Sequence, residues 1–299
     1  MTVPRPSPGP RLVATCWTTA GTARPLDEPE LASHSPFERI DAVADGGWSG
    51  LGFAHDDLDL MRRTTGFAPV AEHARARGLD HVEVELVGDW WLDPARWRER
   101  WSLLLDAAEA FGSPVVKAGS AFGVPWSDLS VLVDPLRRLA VEAADRGTRV
   151  ALEPLPFAVV GSVPAAADLV RRVDHPAAGL TVDLWHVARA GTTLTELTAC
   201  LDADRVFQVE LDDADADPVG DLFEDTRDRR RYCGEGDLDV VGFVRVLRDL
   251  GVDVPWGVEV LSEEHRRAGL EEGLRRARDT ALAVLLAAGP QPPSTGSCR

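Results

Sequence analysis

The run RVFQVEL, residues 205–211, has the apolar content of a strand buried on both faces. Yet it carries Glu210 one residue from its end and leads straight into the aspartates of DDAD, residues 212–215. A carboxylate in so dry a setting is costly unless something pairs with it. Seven further short apolar runs punctuate the chain: RLVATCW (11–17), GLGFA (50–54), HVEVEL (81–86), PVVKAG (114–119), RVALEP (149–154), GLTVDL (179–184) and WGVEVL (256–261). Each is too short for a helix, and most end in Gly, Pro or an acid, as parallel strands covered on both sides do.

The stretches between them have helical spacing. Residues 93–112 place Trp97, Trp101, Leu104, Leu105, Ala108 and Phe111 on one stripe, with Asp93 as N-cap and Gly112 as terminator. Residues 239–251 repeat the pattern with Val240, Val244, Leu247 and Leu250 between Asp239 and Gly251, and a long amphipathic stretch runs from His265 to Gly289. Alternating strands and helices over 299 residues predict a single α/β domain, a closed (β/α)8 TIM barrel. The competing open sheet would carry a Gly-rich nucleotide turn after its first strand, and TCWTTAGTARP (15–25) has none. Residues 1–10 read as an N-terminal extension, 11–288 as the barrel, and the Pro- and Ser-rich 289–299 as a disordered tail.

Strand parity locates the chemistry. In a barrel alternate residues point inward and function gathers at the C-terminal strand ends. Ala151 and Glu153 share one face against Val150 and Leu152, and Thr181 and Asp183 oppose Leu180 and Val182. Gln208 and Glu210 oppose Phe207, Val209 and Leu211, and Gly257 and Glu259 oppose Trp256, Val258 and Val260. Four inward carboxylates, Glu153, Asp183, Glu210 and Glu259, then converge at one mouth and repel one another unless their pKa values rise or a cation sits among them. A hard divalent ion is the economical solution. Glu83, Glu85 and Lys117 share inward parity on the third and fourth strands, where a buried Lys–Glu pair is expected. His55 and Trp17 follow the second and first strands toward the same mouth, and Trp90 and Trp91 are further candidates for an apolar wall.

The motifs ALEPLPF, LTVDLWHVARAG, FQVELDDAD, RRRYCGEGDLDVVGFVRVLRDLG and PWGVEVLS resemble the last four strand-end motifs of the xylose isomerase-like TIM barrels, the sugar phosphate isomerase/epimerase group. The resemblance implies a metal held by Glu153, Asp183, Glu210 and Glu259, with Glu210 standing where His or Gln is usual. The added carboxylate tilts the choice toward Mn2+ or Mg2+ over Zn2+. It also implies that His186 and Arg230 contact substrate oxygens, and that Glu153 and Glu259 act as base and acid. The implied reaction is isomerisation or epimerisation of a sugar, phosphorylated or not, through a metal-stabilised enediolate. A dehydratase acting on an inositol derivative or 3-dehydroshikimate and a non-catalytic sugar-binding barrel are the alternatives on this scaffold. Cys233 replaces a proline usual in the turn that follows Arg230.

Composition limits the partners. Lys and Arg number 32 against 49 Asp and Glu, a net charge of −17, which argues against a nucleic-acid or anionic-membrane partner, since these require a basic footprint. The same balance, with seven histidines, disfavours an apurinic endonuclease of this superfamily. A small carbohydrate or keto-acid is the expected substrate, and a homo-oligomer is compatible with the sequence. Four scattered cysteines and no apolar leader point to a cytoplasmic setting.

Overall fold

The computed structural model describes residues 9–290, so most of the expected N-terminal extension and nearly all of the tail lie outside the described residues. All eight expected strands form: β1 (Leu12–Ala14), β2 (Gly50–Ala54), β3 (His81–Val87), β4 (Val116–Ala118), β5 (Val150–Leu152), β6 (Ala178–Asp183), β7 (Val206–Leu211) and β8 (Trp256–Val258). They pair in sequence order, β8 closing parallel onto β1. Among the described residues no helix is long and apolar enough to cross a membrane.

The core lies between barrel and helices. Val150, Leu152, Val182, Val209 and Val258 point outward from the strands and are almost wholly buried. Each contributes about 1.5–3 kcal/mol by leaving water. With that apolar set committed to the outer core, the alternate residues must face inward.

One part of the parity reading needs correction. Leu180 pairs with Val206 but Thr181 with Gln208, so a register shift leaves Phe207 without an opposite number. Such a bulge turns its extra residue out of the alternation. Phe207 packs with Val115 and Ala151, two inward positions, instead of joining Val209 and Leu211 outside. Gly179 makes room, since a Cβ there would come within 2.4 Å of the Phe207 ring. Phe207 thus plugs the barrel beneath the polar layer, where Thr181 donates to Gln208 Oε1 at 2.9 Å.

Helix punctuation follows the expected residues with two adjustments. Asp93 caps a short 3-10 turn, Pro94–Arg96, before the helix Arg98–Phe111, which ends at Gly112 in the left-handed region. Asp239 accepts from Gly242 N and opens Val240–Leu250, which Gly251 ends. The stretch from His265 to Gly289 is two helices, Glu263–Ala268 and Leu270–Ala287, because Gly269 at φ 78° and ψ 167° cannot continue one. Amphipathic periodicity runs through that break, which is why the sequence reads as one segment.

Candidate active site

Strand ends and backbone pairing bring the carboxylates together. Glu153 and Glu259 lie one residue beyond β5 and β8, and their N–H groups continue the ladder to Ala118 O at 2.9 Å and Leu211 O at 3.0 Å. Asp183 ends β6 and also caps the helix Leu184–Arg189, accepting from His186 N at 2.9 Å. Glu210 sits inside β7 and is fully buried. Gly257 opposite it on β8 gives it space, since a Cβ there would lie 3.2 Å from Glu210 Cγ.

Two cations thread this group. Lys117 Nζ, on β4, donates to Glu210 Oε1 at 2.6 Å and lies 2.8 Å from Glu85 Oε2, 3.4 Å from Glu153 Oε1 and 3.8 Å from Glu259 Oε1. The expected Lys–Glu pair therefore forms with Glu85, while Glu83 Oε1 pairs with His81 Nε2 at 3.0 Å. Arg230 Nη1 donates to Asp183 Oδ2 at 2.6 Å and to Asp212 Oδ2, and lies 3.2 Å from Glu259 Oε2. Its Nη2 donates to Thr226 Oγ1 at 2.9 Å and approaches His186 Nε2 at 3.4 Å.

Arg230 owes its place to the loop that carries it. Arg230 N donates to Leu261 O, and Asp213 accepts from the N–H groups of Ala214, Gly234, Gly236 and Leu238. Gly236 is required there, because a Cβ would fall 2.4 Å from Asp213 Oδ1.

Sequence reading missed Asp212. It is fully buried and shares Arg230 with Asp183; its position continues the inward alternation of Gln208 and Glu210 one residue beyond β7, which was the signal that could have found it. The wall candidates divide. Trp17 and His55 line a cavity of about 340 Å3 together with Phe157, Phe223 and Arg100. Trp90 is buried and donates to Gly119 O, and Trp91 packs edge-on against Trp90 and Trp126. His55 Nε2 faces Asp56 at 3.3 Å and Glu30 at 3.8 Å.

Six buried carboxylates, Glu85, Glu153, Asp183, Glu210, Asp212 and Glu259, surround two buried cations, Lys117 and Arg230. Six against two leaves four formal negative charges in a dry pocket. Burial pushes Glu259 up to about 8 and raises Glu153, Glu210 and Asp212. Burial works the same way on Asp183, but Arg230, with the backbone N–H of His186, outweighs it and holds this group down to about 2. His186 is lowered to about 3 by burial, so it is neutral.

A divalent ion fits this donor set. Glu153 Oε1, Glu210 Oε2 and Glu259 Oε1 are buried without a hydrogen-bond partner, which is expensive for carboxylates. Ligand atoms of Glu153, Asp183 and His186 lie within 4.8 Å of one another, and so do those of Glu85, Glu210 and Glu259. The four acids expected at one centre are thus divided in pairs between two adjoining clusters, with Lys117 bridging them.

Comparison with known proteins agrees with the architecture. The model of the family described as Xylose isomerase-like TIM barrel matches residues 40–280. A 3-dehydroshikimate dehydratase of Pseudomonas putida is 30% identical over 259 residues, 80% of this chain and 38% of the relative. An inosose isomerase of Bacillus licheniformis is 28% identical over 155 residues, 51% of this chain and 54% of the relative. The chain thus spans between about a third and about a half of the length of these curated relatives. Among solved structures, the IOLI protein with a bound zinc atom superposes with a TM-score of 0.78 at 18% identity, covering 93% of this chain and 99% of that one.

Proposed function

Because the chain belongs to the xylose isomerase-like TIM barrel family, we propose that it is a metal-dependent enzyme that moves a proton at a carbon next to a carbonyl, isomerising or epimerising a small hydroxylated substrate. The observation that carries this reading is the pair Glu153 and Glu259. They approach one ammonium from β5 and β8 at 3.4 and 3.8 Å and leave an oxygen each without a hydrogen bond.

Glu153 and Asp183 from one cluster and Glu210 and Glu259 from the adjoining one would have to close together to hold a single ion, and their hard oxygens favour Mn2+ or Mg2+ over Zn2+. When bound it supplies positive charge opposite a substrate oxygen that becomes negative in the reaction. The remaining work belongs to side chains. Glu153 removes a proton from the carbon beside the carbonyl and Glu259 returns one. Neutral His186 donates a hydrogen bond to the oxygen on which charge grows, and Arg230 fixes Asp183 and Glu259 while adding positive charge. Trp17, His55 and Phe157 wall the cavity, whose volume of about 340 Å3 suits a molecule of sugar size.

Dehydration is the second reading, favoured by the dehydratase alignment that extends over 80% of this chain. It shares proton removal and differs in expelling a hydroxyl. With Mn2+ present, solvent deuterium should enter the carbon beside the carbonyl of a ketose or inosose if isomerisation holds. Loss of water from 3-dehydroshikimate, followed by the absorbance of the new double bond, would favour dehydration. No exchange and no elimination across such a panel would refute both.

A further inference from the structure

Lys117 has so far no role in the chemistry. It projects from the middle of β4 and is 2% exposed, so its charge is matched entirely by protein groups. Glu210 Oε1 accepts from it at 2.6 Å while Glu210 Oε2 stays buried without a hydrogen bond. Glu85 Oε2, at 2.8 Å, grips the ammonium from β3. One carboxylate oxygen of Glu210 is thus held and the other is spare.

We propose that Lys117 and Glu210 work as one electrically neutral ligand, Lys117 fixing Oε1 and Glu210 offering Oε2 to the divalent ion. The inference rests on the metal reading above. Charge arithmetic supplies the reason for the pair. Glu153, Asp183 and Glu259 bring three negative charges and Glu85, which also grips the ammonium, a fourth, so a further unmatched carboxylate would raise the cost of emptying the site and draw in extra cations. The ammonium offsets the charge of Glu210 and leaves its Oε2 available. Locking the Glu210 rotamer from behind also preorients that oxygen, as partners of ligating groups commonly do. Lys117 is accordingly a positioning residue.

The test is a double-mutant cycle read by Mn2+ calorimetry and by thermal unfolding of chelator-treated protein, neither of which requires turnover. Glu210→Gln alone removes the carboxylate charge that offsets the ammonium beside the ion, leaving Lys117 to Glu85, and should weaken Mn2+ binding about 100-fold. Lys117→Met alone leaves Glu210 without its ammonium partner. It should bind Mn2+ at least as tightly as wild type while the metal-free protein unfolds about 10 °C lower. Lys117→Met with Glu210→Gln restores a neutral oxygen ligand and should return both the Mn2+ Kd, to within about threefold, and the midpoint, to within about 3 °C. Should Lys117→Met fail to fold, recovery of a folded, Mn2+-binding protein by the second substitution supports the pair, and a folded double variant without binding overturns it. Effects that multiply independently overturn the inference alone. A wild-type protein that takes up no divalent ion overturns both it and the metal reading.

Discussion

Glu259 combines the most informative environment in the pocket with a simple test. It lies 3.2 Å from Arg230 and 3.8 Å from Lys117, and burial still lifts it to about 8. Glu259→Gln keeps its shape and one oxygen, so the fold should persist while proton transfer slows about 100-fold or more, as measured by deuterium exchange. Arg230→Met should cost about 3–5 kcal/mol in chemical denaturation, because Asp183 and Asp212 lose their shared cation. The raised carboxylates also set a pH dependence. In the unfolded chain they ionise near about pH 4, and in the fold burial keeps protons on Glu259, Glu153, Glu210 and Asp212 to higher pH. Between about pH 6.5 and 8 the metal-free native state then binds more protons than the unfolded chain, and stability falls as pH rises. The depressed His186 acts in the opposite sense but only below its unfolded value near about 6.5, outside that window. Chelator-treated protein should unfold at a lower temperature at pH 8 than at pH 6.5, with the gap narrowing under saturating Mn2+; a flat metal-free profile would contradict the charge account.

At the scale of elements, the loop from Arg230 to Leu238 is organised by one side chain. Asp213→Asn puts an amide donor among four backbone donors and should cost about 1–3 kcal/mol. It should also lower turnover, since Arg230 rides on that loop, and it should hasten limited proteolysis there. The strands were legible because each has an outer apolar face that must be buried, which fixes the inward direction of Glu153, Asp183, Glu210 and Glu259 by default. Parity failed at Phe207 because a bulge is set by pairing with β6, and nothing within residues 205–211 encodes it. Asp212 was legible in principle, since it continues the alternation of Gln208 and Glu210 one residue past β7 as Glu153 and Glu259 do past β5 and β8, but it lies beyond the apolar run from which the strand was read. The break at Gly269 was hidden by hydrophobic periodicity on both sides, although a glycine in mid-stretch was its visible mark.

For the whole molecule, the barrel turns four dispersed motifs into one pocket, and the surplus of acid there exceeds what Lys117 and Arg230 can offset. The overall charge of −17 says little about this, because most acids lie on the solvated outside; what matters is six carboxylates in a dry interior. An ion that binds only the folded state must raise its stability, so chelation should lower the unfolding midpoint and Mn2+ restore it. The most direct measurement is anomalous diffraction at the manganese edge from crystals soaked in Mn2+. The account predicts one strong peak within coordination distance of oxygens from Glu153, Asp183, Glu210 and Glu259, with Lys117 still paired to Glu210. A pocket with no peak, its carboxylates held by Lys117 and Arg230 alone, would contradict it.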